Sequence, residues 1–168
     1  MSAAAAGGAD SRILVSLRVG AAPVRAFAVF TGDIGLWWRP DPLFRFTPRS
    51  PGILAFEPGA GGDWRAGRLV ERLAGGKVFE IGRITAWEPP ARLAFTWRQA
   101  AFAPGQETRV EVRFEPVDAG TRVTVEHRGW DAIPAGHVAR HGFPDGLFLT
   151  RHGEWWQTLL AGLAARLG

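Results

Sequence analysis

The stretch Glu107–Trp130, ETRVEVRFEPVDAGTRVTVEHRGW, alternates in two runs on either side of Asp118–Gly120. In the first run Val110, Val112 and Phe114 share one side, opposed to Arg109, Glu111, Arg113 and Glu115. In the second, Val123, Val125, His127 and Gly129 are opposed to Arg122, Thr124, Glu126 and Arg128. Successive side chains of a strand point to opposite faces, so each run has one charged face and one largely apolar face. The short turn between them makes the two runs hairpin neighbours. The result is an antiparallel sheet with a wet face, where opposite charges pair across strands, and a dry face that needs cover.

Working outward, Gly59–Gly62, Gly75-Gly76, Pro89-Pro90 and Pro104-Gly105 break the preceding chain into further short runs. Strands are expected near 52–57, 63–73, 77–88, 91–99, 107–117 and 120–130, with RILVSLRV at 12–19 as the first of the chain. Turns this short join antiparallel neighbours without crossover helices, giving a sheet of about six or seven strands. Leu93, Phe95 and Trp97 share the dry face. In the run 77–88 a bulge at Gly82 would exchange the faces and send Ile84 rather than Arg83 inward, so the direction of Arg83 is open.

Cover comes from helices. Pro23 suits the first turn of a helix that carries Val24, Phe27 and Phe30 near one face and ends at Gly32. Asp33 is placed to cap a shorter turn bearing Ile34, Trp37 and Trp38. Prolines at 40, 42, 48 and 51 make 39–51 an irregular connection, and 131–149 reads as a long loop over one mouth of the sheet. Residues 152–167 have helical periodicity: Trp155, Trp156, Leu159, Leu160, Leu163 and Leu167 fall within an arc of about 140°. This broad stripe is the natural lid of the dry face. The fold class is therefore α+β, with one domain at 12–168 behind a disordered tail at 1–11.

Composition narrows the function. The 168 residues are 46% hydrophobic and 21% charged, the balance of a globular domain. Eight Trp and eleven Phe accompany no Tyr, so nearly every ring is a large apolar body suited to a core or a cavity wall. The lack of Cys excludes disulfides, thiolate catalysis and Cys-ligated zinc. The net charge of +4 is interspersed with acidic residues rather than clustered, which argues against nucleic acid. No apolar run approaches the roughly 20 residues needed to span a bilayer, and the first residues lack the pattern of a signal peptide. A cytoplasmic protein with no membrane partner is expected; homodimerisation is left open.

Two stretches, GRITAWEPPARLAFTW at 82–97 and TRVTVEHRGW at 121–130, resemble the SRPBCC (START-like) superfamily, in the branch named after the activator of the heat-shock chaperone ATPase. Trp37-Trp38, Gly61-Gly62 and the Glu88-Pro89-Pro90 turn fit the same pattern. The resemblance covers residues 12–167. It implies a helix-grip fold, in which a curved sheet wraps around a long C-terminal helix and encloses a hydrophobic cavity, and it suggests a stress-response setting. Superfamily members include lipid carriers, polyketide cyclases and chaperone regulators, so the fold alone does not fix the function. A chaperone partner ranks below a small molecule, because the chaperone-stimulating members carry a further domain ahead of this one.

The leading expectation is binding of a small, mostly hydrophobic, aromatic or lipid-like molecule between sheet and helix, with no cofactor. The expected wall comprises Trp37, Trp38, Phe56, Trp64 and Phe79, then Ile81, Arg83, Phe95, Trp97 and Val112, then Val125, His127, Trp155 and Leu159. A void is expected near Trp97 and Trp155. If the cavity is enzymatic, as in a cyclase, dehydratase or hydrolase, His127 is the candidate proton donor; the other reading makes it a satisfied core histidine. His137 and His141 have zinc-ligand spacing, but Pro134 and Gly136 disfavour the helix such a pair requires, and no metal is expected.

Overall fold

The computed structural model describes residues 12–48, 51–134 and 136–168, so the expected tail at 1–11 lies outside the described residues. Strand β1 (Ile13–Val19) turns Ile13, Val15 and Val19 inward. Helix α1 (Pro23–Gly32) opens with proline in its first turn and buries Ala26, Phe27 and Phe30. Helix α2 (Ile34–Trp37) is a single turn. The remaining strands are β2 (Ile53–Glu57), β3 (Arg68–Arg72), β4 (Val78–Glu88), β5 (Arg92–Trp97), β6 (Thr108–Val117) and β7 (Gly120–Arg128), followed by helix α3 (Asp145–Leu167).

The seven strands form one curled sheet in the order β1-β7-β6-β5-β4-β3-β2, every pair antiparallel. Consecutive strands from β2 to β7 are neighbours, as short turns require, and β1 closes onto β7. The β6–β7 register places Val112 opposite Val125 and Phe114 opposite Val123, and all four side chains are buried. Helix α3 lies across this dry face with Trp156, Leu159, Leu160 and Leu163 fully buried. This is the helix-grip architecture. Gly162 permits the close crossing of α2, since a Cβ there would lie 2.7 Å from the Trp37 carbonyl oxygen. Among the described residues no helix is long and apolar enough to cross a membrane.

Three local expectations change. Residues 64–66 form a 3-10 turn instead of extending a strand, with the Asp63 side chain accepting from the Arg65 amide; β3 starts only at Arg68. Helix α3 begins at Asp145, not near 152. Pro144 precedes its first turn, where a missing N–H is harmless, and Asp145 sits at the positive end of the helix dipole. Asp33 does not cap α2; its carboxylate accepts from Arg166 at the far end of α3.

Strand β4, where a face exchange at Gly82 was left open, carries two irregularities. Leu69 pairs with Gly82 but Val70 with Glu80, and Ile84 pairs with Phe95 but Ala86 with Ala94. An extra residue at each point restarts the alternation. Ile81, Ile84 and Trp87 consequently face inward at intervals of three, while Arg83 is exposed. Gly82 is required here: a Cβ would fall 1.7 Å from the Thr96 carbonyl oxygen.

Candidate functional site

The interior beneath α3 is a stack of rings. Trp97, at the end of β5, lies 6.0 Å from Trp155, 5.8 Å from Trp156, 6.0 Å from Trp38 and 4.7 Å from Phe46, centroid to centroid. Trp38 meets Trp155 edge-on at 5.5 Å. Such separations are ordinary aromatic contact and leave no room for another ring. The space bordered by Trp38, Phe44 and Trp155 amounts to about 20 Å³, enough for about one water. The void expected near Trp97 and Trp155 is thus filled by protein. The cause is the chain at 39–48 together with the first turn of α3: Phe44 stacks on Trp155 at 5.1 Å, Phe46 meets Trp97 edge-on, and Phe148 in α3 packs against Trp130 at 4.9 Å.

His127 is fully buried in this stack. The Trp156 indole N–H donates to its Nδ1 at 3.1 Å, and its Nε2 lies 2.7 Å from Thr108 Oγ1. An indole nitrogen can only donate, so Nδ1 is the acceptor, the proton resides on Nε2, and Nε2–H donates to Thr108. The Thr108 hydroxyl in turn donates a hydrogen bond to the Trp97 carbonyl at 3.3 Å. The chain Trp156–His127–Thr108–Trp97 ties α3 to β7, β6 and β5. A proton on Nδ1 would confront the indole N–H, and burial, followed by the nearby His152, holds His127 well below the usual imidazole range. His152, with its ring 5.1 Å from that of His127, is likewise fully buried and is pushed down to about 3 by desolvation.

A more open site lies at the other end of the dry face. A cleft of about 810 Å³ runs between α1, α2, β2 and the turn joining β4 to β5. Its floor is aromatic: Trp64 and Trp87 stack at 4.7 Å and 8°, and Phe27 meets Trp87 edge-on at 5.1 Å. Val24, Leu36 and Ile53 line its rim and are 69%, 67% and 63% exposed. Exposed apolar side chains gathered around a cleft are uncommon on a monomer surface without a binding role. The rim's charged groups are already matched, Arg72 by Glu57 at 3.0 Å and Asp33 by Arg166 at 3.3 Å. Glu57 is held below the usual carboxylate range chiefly by its hydrogen bond from Arg72.

The expected wall therefore divides. Phe56 and Trp64 line the open cleft. Trp37, Trp38, Ile81, Phe95, Trp97, Val112, Val125, His127, Trp155 and Leu159 are packed in the core. Phe79 is half-buried under the Arg98 guanidinium, 4.8 Å above its ring. Arg83 leaves the interior altogether: its side chain is 62% exposed and pairs with Glu107 at 3.5 Å. Residues not expected at a site, Phe27, Leu36, Ile53 and Trp87, supply much of the cleft. The shared face of Val24 and Phe27 was a sequence signal for part of it, but the inward turn of Trp87 depends also on the second bulge, between Ile84 and Ala86, which gave none. His137 and His141 serve as loop ties to the Ala101 and Leu43 carbonyls. Among the described residues no group of three His, Cys, Asp or Glu is placed to hold a metal ion.

The family model described as Activator of Hsp90 ATPase homolog 1-like protein matches residues 24–168. No curated protein matches. Among solved structures, protein MLL2253 from Mesorhizobium loti is similar at 19% identity and a TM-score of 0.60, over 93% of this chain and 95% of that one. The AHSA1 protein from Silicibacter pomeroyi is similar at 21% identity and a TM-score of 0.57, over 93% and 96%. Protein Ms6760 from Mycobacterium smegmatis is similar at 15% identity and 0.56, over 95% and 92%. At these identities the likeness is one of fold.

Proposed function

The chain belongs to the family of Activator of Hsp90 ATPase homolog 1-like proteins, and on that premise we propose that it binds a small, flat, mostly apolar molecule in the cleft between α1, β2 and the β4–β5 turn. One observation carries the reading: a cleft of about 810 Å³ with a stacked Trp64–Trp87 floor and an exposed apolar rim. Ligand pockets are typically of this size and character. The indole faces would take an aromatic ligand in offset or edge-on contact, and Val24, Leu36 and Ile53 would close over its edges.

A cyclase, dehydratase or hydrolase working through His127 draws no support from this geometry. Both ring nitrogens are engaged, the ring is sealed from solvent, and its low proton affinity favours the neutral form. Docking of a protein partner on the outer face draws little more, because that face is largely self-paired, with Glu111 holding both Arg92 and Arg113 at 2.7 Å.

The test is titration with 1-naphthol, followed by the indole N–H signals of Trp64 and Trp87 in NMR spectra. Saturable shifts of those two signals, weakened about tenfold by Trp64→Ala, are expected. Binding unchanged in Trp64→Ala, or no saturable shift, refutes the reading. Native mass spectrometry of the purified protein then identifies any captured molecule.

A further inference from the structure

A second concave site, distinct from the α1 cleft, lies where three loops meet at one mouth of the sheet. Residues 42–48, 99–101 and 138–141 enclose about 380 Å³. The loops are tied to one another: the Ala100 amide donates to the Phe46 carbonyl at 2.7 Å, His137 Nε2 donates to the Ala101 carbonyl at 3.0 Å, and His141 Nε2 donates to the Leu43 carbonyl. Pro42 and Pro48 stiffen the first loop further. The pocket is thus built from fixed walls.

Its chemistry is one-sided. None of the twelve lining residues is acidic, whereas Arg45 lines it and pairs with no carboxylate among the described residues. The nearby carboxylates are occupied elsewhere: Glu71 accepts from Thr47 Oγ1 at 2.7 Å and from the Gly52 amide, and Asp41 accepts from the Leu43 amide at 2.8 Å. Gln99, also on the wall, is 5% exposed, and its Nε2 has no partner among the described residues. Buried amide donors are almost always satisfied, so an unpartnered one beside a pocket marks a place for an acceptor. Apart from Thr47 and His141, whose polar groups are engaged by Glu71 and the Leu43 carbonyl, the rest of the lining is apolar, and two of its members, Leu43 and Val138, are 40% and 68% exposed.

An unpaired guanidinium, an unpartnered amide and an apolar wall together define a chemical class. We infer that this loop pocket binds a small organic carboxylate. The carboxylate accepts from the Arg45 fork and, after local adjustment, from Gln99 Nε2, while a short aliphatic or aromatic body lies on Leu43, Phe46 and Val138. The planar fork of arginine suits two carboxylate oxygens at once, and the apolar wall discriminates against inorganic anions.

The test uses the full chain and hexanoate, with hexanol and sulfate as controls, followed by amide NMR. Expected are saturable shifts of the Gln99 side-chain amide and of the Ala100 and Val138 backbone amides with hexanoate only. Arg45 is exposed, so Arg45→Gln retains the fold, and it should weaken hexanoate by about tenfold. Gln99→Leu should weaken it in the same direction. The inference is overturned if hexanoate gives no saturable shift, if the shifts persist unweakened in Arg45→Gln, if sulfate or hexanol reproduces them, or if they fall on the Trp64 and Trp87 indoles. The last result would leave the α1 cleft intact as a site while removing this one.

Discussion

Two neutral imidazoles sealed in the core make the protein sensitive to mild acid. His127 and His152 are fully buried and both are held below the ordinary imidazole value, His152 down to about 3. In the unfolded chain each returns to a value near 6.5, so below that pH the unfolded state binds protons that the native state does not. Stability is therefore complete above about pH 6.5 and falls as the pH drops toward the folded-state values, by about 1.4 kcal/mol per pH unit for each histidine. Between pH 7.5 and 5.0 the pair removes about 4 kcal/mol, a large share of the total stability of about 5–15 kcal/mol expected for a domain. Glu57, whose depressed value gives stability lost only as the pH falls below 4.5, does not act in this window. Urea denaturation followed by tryptophan fluorescence at pH 7.5, 6.0 and 5.0 measures the loss. In His152→Leu, where a buried imidazole with no hydrogen-bond partner among the described residues becomes an aliphatic side chain of similar volume, the slope should halve. A wild-type midpoint that does not move between pH 7.5 and 5.0, or a slope unchanged in His152→Leu, would refute the reasoning.

Two other perturbations probe the frame that holds this core. Trp156→Phe removes the donor to His127 Nδ1 and should cost about 1–3 kcal/mol for the stranded acceptor, in addition to lost packing; urea midpoints at pH 7.5 give the value, and an unchanged midpoint contradicts this hydrogen-bond chain. Gly82→Ala forces a methyl group onto the Thr96 carbonyl and should cost about 4 kcal/mol or more, read as loss of soluble folded protein or a large fall in thermal midpoint; a variant of near wild-type stability would mean that β4 is not bulged there.

The alternation of Val110, Val112 and Phe114 against Arg109, Glu111 and Arg113 needs only the period of a strand, so the hairpin and its dry face were legible from residues alone. The stripe from Trp155 to Leu167 needs only the helical period, and it correctly named the lid. Both patterns are local, because each is fixed by the geometry of one element. The start of α3 was harder: residues 145–151 contain Gly146 and follow Pro144, weak helix signals that docking of Phe148 on Trp130 overrides.

What remained hidden depends on distances between elements far apart in the chain. Periodicity marks Trp97, Trp155 and Phe95 as dry but says nothing about how closely sheet and helix approach, and that spacing determines whether the rings line a void or fill it. The structure fills it, with Phe44 and Phe46 entering from a segment whose prolines read only as irregular. Of the two bulges of β4, the one at Gly82, against β3, was raised by the sequence as an open alternative, whereas the second, between Ile84 and Ala86, arises from the pairing with β5 and left no local signal. They turn Arg83 to solvent and Trp87 toward the cleft, so the composition of the core was written in the sequence, while the position of its open space was decided by the packing of one element against another.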